Sequence, residues 1–265
     1  MYQQIQNIIT TMNATGVNYL DDYRRNVEPN ILKRVGGGKF SLQEHIRALV
    51  YAIISARVAW NTKIAPALPQ IDEIFFHYDP QKIKNTSAQY FVDQMKKIKC
   101  AGQSTNAQMN GLAANVETLE QIEKEHGSID DYYNQFLPNN VEGLVKELAI
   151  GGHKLNSVGV AIACEYLKNV GVNVVKPDRH ICRLFYRLGI ITLRRVTKMK
   201  LSGEFNDTEK LQVINIAHQI AVTLNIGDAE LDAILWNFCA EGPINICGAN
   251  AKCGQCLVNN CPSRI

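Results

Sequence analysis

The sequence predicts an all-α protein with a C-terminal four-cysteine metal loop. Apolar residues recur at helical spacing along nearly the whole chain, and helix-start signals are frequent. Only Val172–Val175 looks strand-like, and it is too short to argue for a sheet. At 265 residues the chain can bury a core and form one large or two medium domains. A hydrophobic fraction of 46% and a charged fraction of 20% exclude disorder, while a net charge of +3 does not by itself imply a nucleic-acid partner.

Taken in order, the N-terminus MYQQIQNIITTMN has no basic start followed by an apolar run, and no stretch approaches about 18 consecutive apolar residues. A reducing, cytoplasmic location with no membrane partner is therefore expected. The capping-box pattern Ser41-x-x-Glu44 opens a helix with Ile46, Leu49, Val50, Ile53 and Ile54 on its buried face. A second helix carries Tyr90, Phe91, Met95 and Ile98, and Thr118-x-x-Gln121 reads as the start of another. One helix ends near Ala149; after a tight turn at Leu155–Gly159 the next runs through Cys164, Tyr166 and Leu167. Such a turn is either a helix–helix corner or a place where exposed backbone N–H groups accept a phosphate. Asp178 follows Pro177 and opens a helix, as an N-cap would. A long helix with Leu211, Ile214, Ala217, Ala221 and Leu224 follows.

Charge is distributed unevenly. Between Arg179 and Gly203 stand Arg179, Arg183, Arg187, Arg194, Arg195, Lys198 and Lys200, without one Asp or Glu. The stretch is either a positive surface suited to phosphates or a face balanced by acids elsewhere.

Cys247, Cys253, Cys256 and Cys261 form the pattern C-x5-C-x2-C-x4-C. Four thiolates in one short loop close around a tetrahedral metal or the corners of an iron–sulfur cube. A disulfide framework is the rival, disfavoured in a reducing compartment. Cys100, Cys164 and Cys182 read as small core residues, and Cys239 as core rather than a fifth ligand.

Three of these features, in this order, resemble the helix-hairpin-helix DNA glycosylase superfamily, which includes endonuclease III. Leu155-Asn156-Ser157-Val158-Gly159 stands where the family has L-P-G-V-G, Asp178-Arg179-His180-Ile181-Cys182-Arg183 matches D-x-H-x-x-R, and the cysteine loop stands where endonuclease III carries a 4Fe-4S cluster. Ser55-Ala56-Arg57 is similar to the early L-S-A-Q segment, so the likeness runs from about Leu42 to Cys261. The loop is one residue shorter in two gaps than the C-x6-C-x2-C-x5-C of endonuclease III.

The resemblance implies a two-lobed fold. Residues 42–165 would form a helical domain ending in the hairpin, and residues 1–41 with 166–265 a second lobe holding the loop at 247–261. Double-stranded DNA would lie in the cleft between them with Asp178 at its mouth, bound by a monomer, nucleoid-associated if the source is prokaryotic. The resemblance further implies excision of a flipped damaged base, with Asp178 as the catalytic carboxylate and Lys154, Ser157, Val158, Gly159, Arg57, Arg179, His180 and Arg183 contacting DNA. Cys247, Cys253, Cys256 and Cys261 would hold a 4Fe-4S cluster, ahead of zinc.

Departures from the family refine the expectation. Family members that also cut the strand carry a lysine as G-V-G-x-K, and the register here puts Ala161 at that place, so a monofunctional glycosylase is expected. Lys154, before the turn, is the alternative amine for a bifunctional glycosylase/lyase. Ala52 stands where an adenine-mismatch glycosylase carries its glutamate. Trp60 is either a core residue or a platform for a flipped base, and stacking points first to an alkylated purine. The rival readings are a non-catalytic, lesion-sensing protein of the same fold and an unrelated zinc-stabilised helical protein in which Asp178 is only a cap.

Overall fold

Every regular element among the described residues is helical. The computed structural model describes residues 1–56, 58–193, 202–240 and 242–264. The first half of the chain comprises α1 (Tyr2–Ala14), α2 (Asp21–Asn26), α3 (Glu28–Val35), α4 (Leu42–Ile54), α5 (Ala65–Ile74), α6 (Pro80–Lys84), α7 (Ala88–Lys97) and α8 (Thr105–Asn110). Then follow α9 (Leu112–His126), α10 (Ile129–Asn134), α11 (Val141–Ile150), α12 (Val160–Asn169), α13 (Arg179–Arg187), α14 (Asp207–Leu224) and α15 (Asp228–Cys239). None of these is long and apolar enough to cross a membrane.

The chain divides into two units, Leu32–Val172 and Met1–Ile31 with Asn173–Ile265. In the first, α4 packs along α12. Ser41 and Glu44 close the capping box at the start of α4, and Ile46, Leu49, Val50, Ile53 and Ile54 are buried. Each such side chain contributes about 1.5–3 kcal/mol by leaving water. Phe91 and Met95 of α7 are buried, with Phe75 stacked on Phe91 at 5.0 Å.

This unit also encloses a polar chain. Arg34 and the backbone N–H of Phe40 bond the Asp130 carboxylate, and His45 Nε2 stands 3.3 Å from Asp130 Oδ1. His45 Nδ1 meets the Tyr166 hydroxyl at 2.7 Å, which meets that of Tyr133 at 2.8 Å. Burial alone would raise the Asp130 pKa; His45, the Phe40 amide and Arg34 around the carboxylate outweigh it and hold the group at about 2. The chain ties α12, through Tyr166, to α4 and α10.

The second unit packs α1, α13, α14 and α15 around Ile5, Ile8, Phe185, Val213, Leu231 and Phe238. Leu211, Ile214, Ala217 and Ala221 face inward on α14, as their spacing predicts. One expectation fails. Thr118 opens no helix: it sits inside α9, where its hydroxyl donates back to the Ala114 carbonyl. Val172–Val175, too short to argue for a sheet, belongs to no regular element.

Candidate functional site

The hairpin turn lies between α11 and α12. Leu155 and Val158 are buried and anchor it, and Val158 N–H donates to the Leu155 carbonyl at 3.3 Å. Between them Ser157 takes φ +60°, a left-handed conformation that costs a residue with a Cβ roughly 1–2 kcal/mol. Outside contacts hold it there. Ser157 Oγ donates to the Ala107 carbonyl at 3.1 Å, and buried Asn115 bonds both the backbone N–H and the C=O of Asn156, at 2.6 and 3.1 Å. Gly159 N-caps α12 without any side-chain cap, so the first amides of that helix keep their donors. Lys154 and Ser157 are exposed, Gly159 and Ala161 half-buried; Val158 can offer only backbone. Ahead of the turn, Glu147 Oε1 accepts from the His153 backbone N–H and meets its Nδ1, both at 3.0 Å.

Trp60 begins a π turn over Trp60–Ile64 and is half-buried, edge-on to Tyr51 at 6.0 Å. The Tyr51 hydroxyl donates to Asp72 at 2.7 Å. Arg57, Arg194, Arg195, Lys198 and Lys200 lie outside the described residues.

In the other unit, Asp178 N-caps α13. Its Oδ1 accepts from His180 N–H at 2.8 Å and Ile181 N–H at 3.2 Å. Both caps use one oxygen; Oδ2 takes no hydrogen bond among the described residues. Gly203, at φ +96°, sits so close to the Arg179 carbonyl that an added Cβ would fall 2.0 Å from that oxygen. The side chains of α13 then diverge. Arg179 is exposed. His180 is half-buried, edge-on to Trp236 at 6.2 Å, and burial, helped by Arg183 and Arg179, lowers its pKa toward the neutral ring. Arg183, expected at a phosphate, is only 7% exposed; its Nη2 donates to the Cys239 carbonyl at 3.3 Å. Its buried Nε has no partner among the described residues.

At the far end of α13, Arg187 Nη1 donates to the carbonyls of Cys247 and Gly248 at 3.2 and 2.6 Å, and its Nη2 to that of Ala249 at 3.1 Å. Nη1 also stands 3.5 Å from Cys247 Sγ, while Cys261 Sγ donates to the Arg187 carbonyl at 3.4 Å. Cys247, Cys253, Cys256 and Cys261, all free thiols, line one small cavity of about 30 Å³ with Leu184, Phe238, Ile246 and Val258. As they stand, no three His, Cys, Asp or Glu side chains among the described residues converge closely enough to hold an ion. The four cysteines share the lining of that cavity, with Arg187 beside Cys247; thiolates are the donor type that a zinc ion or an iron–sulfur cluster takes. Cys239, 1% exposed, belongs to the core. Cys100, Cys164 and Cys182 are buried.

The sequence pointed to Asp178 as a helix cap and to a tight turn before α12, but not to the contacts of Asn115, Gly203 and Arg183. Asn115 is 41 residues from its partner and reads locally as a weak helix former.

No protein-family model matches this chain, and no curated protein does. Two crystal structures of a Methanocaldococcus jannaschii protein do match in fold. One is its 8-oxoguanine glycosylase/lyase in complex with 15mer DNA containing 8-oxoguanine, with TM-score 0.57 and 18% identity over 88% of this chain and 95% of that one. The other is described as its 8-oxoguanine DNA glycosylase, again at TM-score 0.57 and 18% identity, over 87% and 92% of the two chains. The chain therefore shares the all-α fold of these glycosylases.

Proposed function

We propose that the chain is a base-excision DNA glycosylase that hydrolyses the N-glycosidic bond of a flipped damaged base, with Asp178 as its catalytic carboxylate. The observation that carries this reading is the division of labour on Asp178: Oδ1 caps α13, and Oδ2 takes no hydrogen bond from any described residue. Extracting a base from the stack costs roughly a few kcal/mol, offset by contacts to the backbone and the flipped base. The uncapped amides after the hairpin turn, together with Lys154 and Arg179, supply the backbone contacts. Cleavage builds positive charge on the sugar, and a fixed carboxylate oxygen stabilises that charge or orients the attacking water. Trp60 offers a face for a damaged purine, with an alkylated purine as the first assignment. The 8-oxoguanine bound to the M. jannaschii protein is the second.

Ala161 provides no amine, so the reaction ends at an abasic site. A bifunctional reading through exposed Lys154 is favoured only by the glycosylase/lyase description of the structural neighbour. Cys247, Cys253, Cys256 and Cys261 would hold a 4Fe-4S cluster, with zinc as the alternative occupant. When bound, the cluster would cross-link the loop structurally and take no part in hydrolysis.

Incubation with duplexes that each carry one alkylated purine or one 8-oxoguanine, followed by alkali or by neutral workup, tests the reading. Breaks that appear only after alkali are expected. Breaks without alkali would overturn the monofunctional assignment, and no breaks on any duplex would favour the lesion-sensing alternative. Iron analysis with an absorption band near about 400 nm distinguishes a cluster from zinc.

A further inference from the structure

We infer that Asn115 is a positioning residue that holds the hairpin turn in its DNA-binding geometry, replacing the conformational restriction that Pro–Gly would supply; this rests on the proposed role of the hairpin. The side chain is fully buried in the interior of α9, where a carboxamide is a poor choice unless its polar atoms are satisfied. Among the described residues, all of its side-chain hydrogen bonds go to one residue. Its Oδ1 accepts from Asn156 N–H at 2.6 Å and Asn156 Nδ2 at 3.2 Å, and its Nδ2 donates to the Asn156 carbonyl at 3.1 Å. Backbone donor and acceptor of the same turn residue are thus fixed together, directly before Ser157 at φ +60°.

Gly111 shows how closely the turn is seated. A Cβ there would fall 2.5 Å from Asn156 Cβ, so only glycine lets the α8–α9 corner approach the turn this far. Ser157 Oγ completes the fixation on the Ala107 carbonyl. A serine in left-handed conformation samples other backbone states readily when unconstrained, which would scatter the amides that follow it. Asn115 is buried and acts only through Asn156.

The test uses the full-length protein, amide hydrogen exchange and anisotropy with a duplex carrying a stable abasic analogue. In the wild type, the Asn156 amide should be protected despite its position in an exposed turn; free exchange there would overturn the inference. Asn115→Leu keeps a branched side chain without polar atoms, and is expected to lose that protection and bind DNA about tenfold more weakly. Adding Ser157→Gly should recover most of the affinity, because glycine adopts the left-handed turn unaided. A purely structural role would leave binding within twofold in a folded Asn115→Leu, or leave it unrescued by Ser157→Gly; either result contradicts the inference. If Asn115→Leu does not fold, Gly111→Ala displaces Asn156 from the same side and is expected to weaken binding similarly, with unchanged binding counting against the clamp. Wild-type protein that binds no duplex would refute the proposed function, while amide exchange would still decide whether the clamp exists.

Discussion

The hairpin turn at Leu155–Gly159 and the helix that begins at Asp178 hold their polar groups in opposite ways. The turn carries an unfavourable Ser157 conformation and is fixed from outside, by Asn115, the Ala107 carbonyl and the close approach of Gly111. Helix α13 is fixed by its own first residue, since Asp178 caps it, yet it directs its cations inward. Arg183 is spent on the last turn of α15, and Arg187 on the carbonyls of the cysteine loop. Of the three arginines on α13, only Arg179 is exposed. A turn without Pro–Gly can therefore be held by side chains from elsewhere in its unit, and two of the three arginines on α13 serve the protein's own carbonyls.

The largest expected effect falls on the scaffold of the hairpin. Asp130→Asn leaves Arg34 buried without its anion and is expected to cost about 3–5 kcal/mol in denaturant unfolding. The Asp130 pKa is depressed to about 2, so its contribution is complete above about pH 4 and is lost as the pH falls toward that value. Over that window the wild type should lose roughly 2 kcal/mol that Asp130→Asn does not lose. Parallel acid profiles would show that the polar chain does not support the unit carrying the hairpin.

Arg187→Leu comes next. It removes the donors to three loop carbonyls and should cost about 2 kcal/mol, and under the proposed function the metal group of the loop should be released faster to a chelator. Unchanged release would mean that the loop holds its shape without α13. The finest discrimination is between two arginines on one helix. Arg183→Met should lower thermal stability, by about 2 kcal/mol, with the salt dependence of DNA binding unchanged. Arg179→Ala should leave stability alone, weaken binding a few-fold and reduce the salt slope by about one. The reverse pattern would undo the contrast drawn between inward and outward cations.

The helices of the buried core were legible because apolar spacing reports directly on the face that leaves water, as in α4 and α14. Ser41 was legible as a cap because its partner lies three residues on, within the same turn. Thr118 carries the same signature and has no such role: a threonine inside a helix can satisfy its hydroxyl on the preceding turn, and Gln121 follows at that spacing on the helix surface. Asp178 was legible for a similar local reason, following a proline at a helix start. The fate of Arg183 was not, because it depends on the Cys239 carbonyl 56 residues away. The Asn115 clamp is equally non-local, and nothing in the residues around position 115 announces it.

Single-turnover excision by Asp178→Asn, on whichever damaged duplex the wild type processes, tests the central claim most directly. Asparagine caps a helix about as well as aspartate, so the fold and thermal stability should be nearly unchanged. The proposed role predicts a loss of about 10²–10⁴-fold in the excision rate with DNA affinity retained. Full excision activity in a folded Asp178→Asn protein would contradict it, and would leave Asp178 as no more than the cap of α13.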